Sequence, residues 1–251
     1  DMVRETEDIA IEPIPAWLDQ QKFEPILERD FPDLKKIKSF RLEPTAGKGE
    51  NYTTLLLRAN FELELNDGSE QSISYMAKIL PNSGNRENVA SWKVFYKERN
   101  TYGQYIPEFE QMYKDAGKKI SFGPRYYESQ IELDDELIVL EDLGKRGFRN
   151  VDRQNGLDIQ HTEATLEKLA QFHAASAVRF ELKGSYPEEY NQNLCSVVDS
   201  LKELRENQLK AYIDAFPLYD ASHLTNDVQA YGSQADDMFQ SFAPKIEGEF
   251  R

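Results

Sequence analysis

Between Tyr52 and Leu65 apolar and polar residues alternate, and Leu55, Leu57, Ala59, Phe61, Leu63 and Leu65 fall on one face. That period of two predicts a long half-buried strand. "NDGS" (Asn66 to Ser69) is a hairpin signal, and Ser72 to Leu80 reads as the return strand. Ile37 to Pro44 predicts a third strand, joined to the long one by the tight loop "TAGKGEN". Upstream, Trp17, Leu18, Phe23, Ile26 and Leu27 lie near helical spacing, with Pro25 forcing a break or a restart. Downstream, a helix is predicted from Glu87 to about Tyr105. Pro107 then opens a second helix, which Gly117 ends. "FGPRYYESQIEL" and "ELIVLEDL" predict two more strands around the acidic turn Asp134–Asp135. From Thr162 the pattern is helical. Thr162 is placed to cap a helix whose Leu166, Leu169, Phe172, His173 and Ala177 form one stripe, with His173 expected to pack within the helical part. Ser200 to Phe216 and Asp227 to about Phe242 predict two further helices. The order predicts an α+β chain: a strand-rich lobe built on an antiparallel hairpin, then a helical lobe, with Leu143 to Asp158 between them.

Composition narrows the partners. A chain of 251 residues with 39% hydrophobic and 30% charged residues has enough apolar material for one large domain or two lobes. The formal charge of −15 excludes a fixed basic groove for nucleic acid and docking on an anionic membrane. An anionic ligand would have to be held locally, by backbone N–H groups, one lysine and a divalent cation. The single cysteine, Cys195, allows no disulfide within the chain and reads as a small core residue. No apolar run approaches the ~18 residues of a membrane span, and the acidic start "DMVRETEDIAIEPIP" lacks a signal peptide's apolar stretch. A cytoplasmic location is the expectation. The chain opens on Asp and closes on "PKIEGEFR", so a fragment of a longer protein is expected.

Three features carry candidate chemistry. "GKGEN" fits neither a Walker A loop nor a dinucleotide fingerprint. It lies between two antiparallel strands, where Gly47 and Gly49 would let the backbone approach phosphates; a flexible hairpin loop is the plainer reading. Lys78 stands among Met76, Ala77, Ile79 and Leu80. An ammonium buried there needs a partner. Glu98, on the next predicted helix, would give the strand-Lys and helix-Glu pair that positions ATP phosphates in kinases. The alternative is a lysine that snorkels out of an edge strand. "LIVLEDLG" (Leu137 to Gly144) resembles a hinge, with the Glu141 carbonyl and the Leu143 N–H facing an adenine edge and Leu140 setting pocket depth. An ordinary buried strand with an acidic end is the competing reading.

Together "GKGENYTTLLLRANFEL", "MAKILP", "FYKERNTYGQYIPEFE", "FGPRYYES", "LIVLEDLGKRGFRNVDR" and "LEKLAQFHAASAVR" resemble the ecdysteroid kinase-like family of insects, itself similar to choline/ethanolamine and aminoglycoside phosphotransferases. The resemblance spans roughly residues 35 to 251. It implies a bilobal protein-kinase-like fold: an antiparallel-sheet lobe with its leading helix over residues 1–143, then a hinge and an incomplete, truncated helical lobe over 144–251. It also implies ATP-dependent phosphorylation of a hydroxyl on a small, steroid-like acceptor. Carried over, Gly47, Gly49 and Asn51 match the phosphate loop, Lys78 the phosphate lysine, Glu98 its partner, and Glu141 and Leu143 the hinge.

The pattern departs from the family where the chemistry should sit. Phosphoryl transfer needs an Asp for the acceptor hydroxyl and an Asn and Asp for magnesium. In the family these come from an HGD-x-W-x-x-N stretch and a later D-x-Q. The three histidines read "HTE", "HAA" and "HLT", so no catalytic residue and no metal ligand is assigned, and the Mg2+ ligands are expected beyond Arg251. Two D-x-Q strings, Asp158–Gln160 and Asp227–Gln229, follow no catalytic loop and are read as decoys. Two expectations follow: the front part of a small-molecule kinase, or a non-catalytic nucleotide- or small-molecule-binding protein with a kinase-like lobe. In a weaker third reading Tyr186, Tyr190, Tyr212 and Phe216 line an apolar pocket, with core packing as their default role.

Overall fold

A computed structural model describes residues 13–45, 54–80, 93–129, 137–152, 155–190 and 198–241. Five strands form one antiparallel sheet in the order β1-β2-β3-β5-β4: β1 Leu34–Pro44, β2 Leu55–Leu65, β3 Glu70–Ile79, β4 Tyr126–Tyr127 and β5 Leu137–Glu141. The β2–β3 hairpin closes at the predicted turn. Gly68 takes φ +83°, which a Cβ would disfavour, and the Leu65 N–H donates to the Ser69 carbonyl. β1 is an edge strand, and Lys35 and Lys36 both pair with Glu64 of β2. Lysines along an edge discourage pairing with another chain.

The alternation read from β2 sets the core. Leu57, Ala59, Phe61 and Leu63 are buried on one face and meet Tyr75, Ala77 and Ile79 of β3 and Val139 of β5. A short helix, α1 (Glu24–Asp30), seats Ile26 and Leu27 on that face, beside Phe23. Pro25 lies in its first turn, after a 3₁₀ turn over Gln20–Lys22. The restart expected at Pro25 is the form the chain takes, since the missing N–H costs nothing in a first turn. The Phe23, Phe40 and Phe61 rings pack at 5.0–5.7 Å between centroids.

The second helical segment differs from the prediction. Pro107 does not open a separate helix. α2 (Val94–Asn100), a π-helical turn (Thr101–Tyr105) and α3 (Ile106–Asp115) run on with helical dihedrals at both junctions. A proline within a helix removes a donor and presses on the carbonyl four residues back. The wider π turn, in which Ile106 N–H reaches the Thr101 carbonyl, absorbs that demand. Glu87 to Trp92 and the Asp134–Asp135 turn lie outside the described residues.

The chain divides into two compact units, Asp1–Arg179 and Phe180–Arg251. The first holds the sheet, α1 to α3 and most of α4 (Ile159–Lys183). Two expectations about α4 are corrected. Its cap is Asp158, whose carboxylate accepts the His161 N–H at 2.8 Å; Thr162 lies inside the helix and donates to the Asp158 carbonyl. Its packed stripe is also rotated. Phe172 meets Phe109 and Phe122, Ala175 is buried, and Arg179 is buried over the Tyr105 ring near Glu108. Leu166 and Leu169 are about half exposed, and His173 is exposed rather than packed. The buried face follows 172, 175 and 179, and residue 173 turns away from it.

The second unit contains α5 (Val198–Ala215) and α6 (Thr225–Ser241). Tyr212 and Phe216 stack edge-to-face at 4.9 Å, Phe216 being buried and Tyr212 exposed, while Tyr186 and Tyr190 form a separate pair at 6.0 Å. Among the described residues no helix is long and apolar enough to cross a membrane.

Candidate functional site

The face of the sheet opposite α1 carries the polar residues that β2 and β3 alternate with their core residues. In register, Lys78 of β3 lies between Leu56 of β2 and Ile138 of β5, and Met76 lies between Arg58 and Leu140. α2 covers this face through Phe95, which is buried with Leu80, Ile138 and Leu140. Glu98 follows Phe95 by three residues, nearly one helical turn, and so points the same way. The Lys78 ammonium lies 2.8 and 2.6 Å from the two Glu98 carboxylate oxygens and 5.9 Å from the centre of the Phe95 ring. Each of the paired side chains keeps about a fifth of its surface exposed, at 22% and 21%. The partner that a strand lysine among apolar neighbours requires is therefore Glu98, and one side of the pair opens to solvent.

Glu141 ends β5 and Leu143 begins a 3₁₀ turn, Leu143–Arg146, so both stand where the strand leaves the sheet. The Glu141 N–H donates to the Arg125 carbonyl at 2.8 Å, and its carboxylate accepts the Arg125 N–H at 3.1 Å. Leu140 is buried opposite Met76. Gly47, Gly49 and Asn51 lie outside the described residues. The strands their loop joins are described, and beyond the Pro44–Leu57 pair the Thr45 N–H still donates to the Leu56 carbonyl.

Sequence reasoning gave no role to the residue between Glu141 and Leu143. Asp142 is 4% exposed. It accepts hydrogen bonds from Ser74 Oγ at 2.7 Å, Arg58 Nε at 2.8 Å and Gly144 N at 3.0 Å. Burial pushes its carboxyl pKa up, but the Ser74 and Arg58 bonds, the Arg58 charge and the Gly144 N–H outweigh this and hold it below the ordinary value. Asp142 thereby ties β2, β3 and the turn after β5 into one polar knot on the face that bears Lys78. The signal was present: Arg58 and Ser74 share strand parity with the Lys78 face, and an Asp two residues before a Gly is placed to form a side-chain turn.

The two D-x-Q strings both sit at helix starts. Asp158 caps α4, and the His161 backbone N–H, followed by its ring, holds the carboxyl pKa low. Asp227 lies in the first turn of α6, where the helix dipole favours a carboxylate. Among the described residues no three His, Cys, Asp or Glu side chains gather to hold a metal ion.

The family model for the ecdysteroid kinase-like family matches residues 48–251, most of the chain. No curated protein and no solved structure matches it.

Proposed function

Because this chain belongs to the ecdysteroid kinase-like family, a family of small-molecule kinase-like proteins, we propose that it is the ATP-binding portion of a kinase that phosphorylates a hydroxyl on a small, steroid-like acceptor. The observation that carries this reading is the two-oxygen ion pair of Lys78 with Glu98 on the sheet face that α2 covers. Such a pair keeps an ammonium in place for an anion that approaches from the open side. Lys78 holds the α- and β-phosphates, and Glu98 fixes the lysine and neutralises it when no nucleotide is present. The backbone at Gly47, Gly49 and Asn51 covers the phosphates. The Glu141 carbonyl and the Leu143 N–H bond the adenine edge, and Leu140 limits its depth. Residues 1–143 form the ATP-binding lobe with its leading helix, and 144–251 the hinge and helical part. When bound, ATP supplies the phosphoryl group to be transferred. Among the described residues no acidic cluster is gathered for Mg2+. The protein works in the cytoplasm.

In a second reading the chain binds nucleotide or a small molecule without transferring phosphate. Calorimetric titration with ATP, followed by a phosphorylation assay on a hydroxysteroid, separates the two. The first reading expects ATP binding that Lys78→Met weakens at least about tenfold, a loss of roughly 1.4 kcal/mol. An unchanged affinity removes Lys78 from the site. Binding without turnover by the protein that carries this chain selects the second reading.

A further inference from the structure

The last pair of β5 with β3 sets Glu141 opposite Tyr75, and the chain turns out of the sheet at Asp142, with φ −78° and ψ 93°. Beyond it the backbone bonds to itself. The Lys145 N–H donates to the Asp142 carbonyl at 3.0 Å and the Phe148 N–H to the Leu143 carbonyl at 3.2 Å. The Asp142 side chain ties this turn back to the sheet, and its two oxygens divide the task. Oδ2 accepts from Ser74 Oγ of β3 and Arg58 Nε of β2, and Oδ1 accepts from the Gly144 N–H of the turn. Gly144 makes room for that grip, since a Cβ there would stand 3.0 Å from Oδ1 and 3.6 Å from Arg58 Nη2.

A peptide group is planar, so the dihedrals on either side set its direction. The Glu141 carbonyl belongs to the peptide before the Asp142 Cα, and the Leu143 N–H to the peptide after it. The two groups proposed above to meet an adenine edge therefore turn about one residue, and three hydrogen bonds hold the side chain of that residue. Ser74, Met76 and Lys78 alternate on one face of β3, which sets this knot four residues, about 13 Å, from Lys78. The base and the phosphates of one nucleotide lie apart on that scale. Groups that read a ligand keep their geometry only where a supporting shell fixes them. On the reading of this face as an ATP site, we infer that Asp142 is a positioning residue: it sets the Glu141 carbonyl for the adenine amino group and the Leu143 N–H for adenine N1, and so governs which base the site accepts.

Inosine triphosphate is the discriminating probe. It carries a carbonyl in place of the adenine amino group and an N–H at N1, the reverse of adenine, and leaves the phosphates unchanged. Calorimetric titration of the full chain with ATP and with inosine triphosphate gives the ratio of the two affinities. Parent protein prefers ATP. Asp142→Asn, whose amide sets donors against Arg58, cuts that preference at least about fivefold. Ser74→Ala removes one bond and keeps the Arg58 pair, and cuts it at least about twofold. Lys78→Met weakens both nucleotides and leaves the ratio alone. Destabilisation by itself would lower both affinities together, not their ratio. Far-UV circular dichroism checks that each variant is folded, and Ser74→Ala carries the test if Asp142→Asn is not. The inference is overturned if the parent binds both nucleotides equally. It is also overturned, with the ATP site left standing, if the folded variants keep the parent's ratio. If the parent binds neither nucleotide, the reading of the site falls and the positioning role falls with it.

Discussion

Asp142 and Lys78 are both charged residues on one sheet face, yet they answer to different demands. Lys78 meets one carboxylate and stays partly open to solvent, as the phosphate-binding role proposed for it requires. Asp142 is closed in by three donors, as a structural carboxylate must be. Replacing Asp142 by Asn keeps the shape but leaves Arg58 without its counter-charge, and should cost about 2–3 kcal/mol at neutral pH. The pH dependence follows from the lowered pKa. In the unfolded chain the group titrates near its ordinary 3.8 and in the folded chain below it. Its contribution is thus whole above that value and is lost as pH falls through the lower folded one. Urea unfolding of parent and Asp142→Asn should show a gap at pH 7 that narrows below about pH 4. A gap that persists undiminished at pH 2 would mean that packing, not the charge, is what Asn disturbs.

The hairpin was readable at the scale of elements because a strand's face is fixed by parity alone, and Leu57 to Leu63 display that parity without interruption. What was not readable depends on neighbours that are remote in sequence. Asp142 gains its meaning only when register sets Ser74 and Arg58 beside the end of β5. The face of α4 was misread because Arg179 counts as polar in any periodicity, whereas here Glu108 and the Tyr105 ring bury it. Pro107 was read as a helix start because a π turn has no compositional mark. Gly232 makes a similar point about packing. It sits within α6, where glycine costs about 1 kcal/mol relative to alanine. A Cβ built there overlaps Leu209 Cδ2 of α5. Close approach of the two helices explains the residue. Gly232→Val should force Leu209 aside and cost about 1–3 kcal/mol. Hydrogen exchange should then quicken in α5 and α6 while β2 and β3 keep their protection. Unaltered exchange in α5 would show that Leu209 swings away without cost.

At the scale of the whole molecule, the nucleotide site proposed around Lys78 has to work against the field around it. The formal charge is −15, and MgATP carries two negative charges. At 20 mM salt the Debye length is about 20 Å, so an approaching nucleotide feels most of that repulsion; at 150 mM it is about 8 Å, and distant carboxylates drop out. The Lys78 contact is short and partly shielded from solvent, so salt weakens it less. Association of MgATP should therefore speed up, by roughly two- to tenfold, between those salt concentrations. That sign is opposite to the salt response of a basic nucleic-acid-binding protein. Stopped-flow measurement with a fluorescent ATP analogue over a salt series reads it directly. A rate that falls with salt would place the local positive field of the site above the field of the whole chain, and Lys78→Met would then have to reverse the slope.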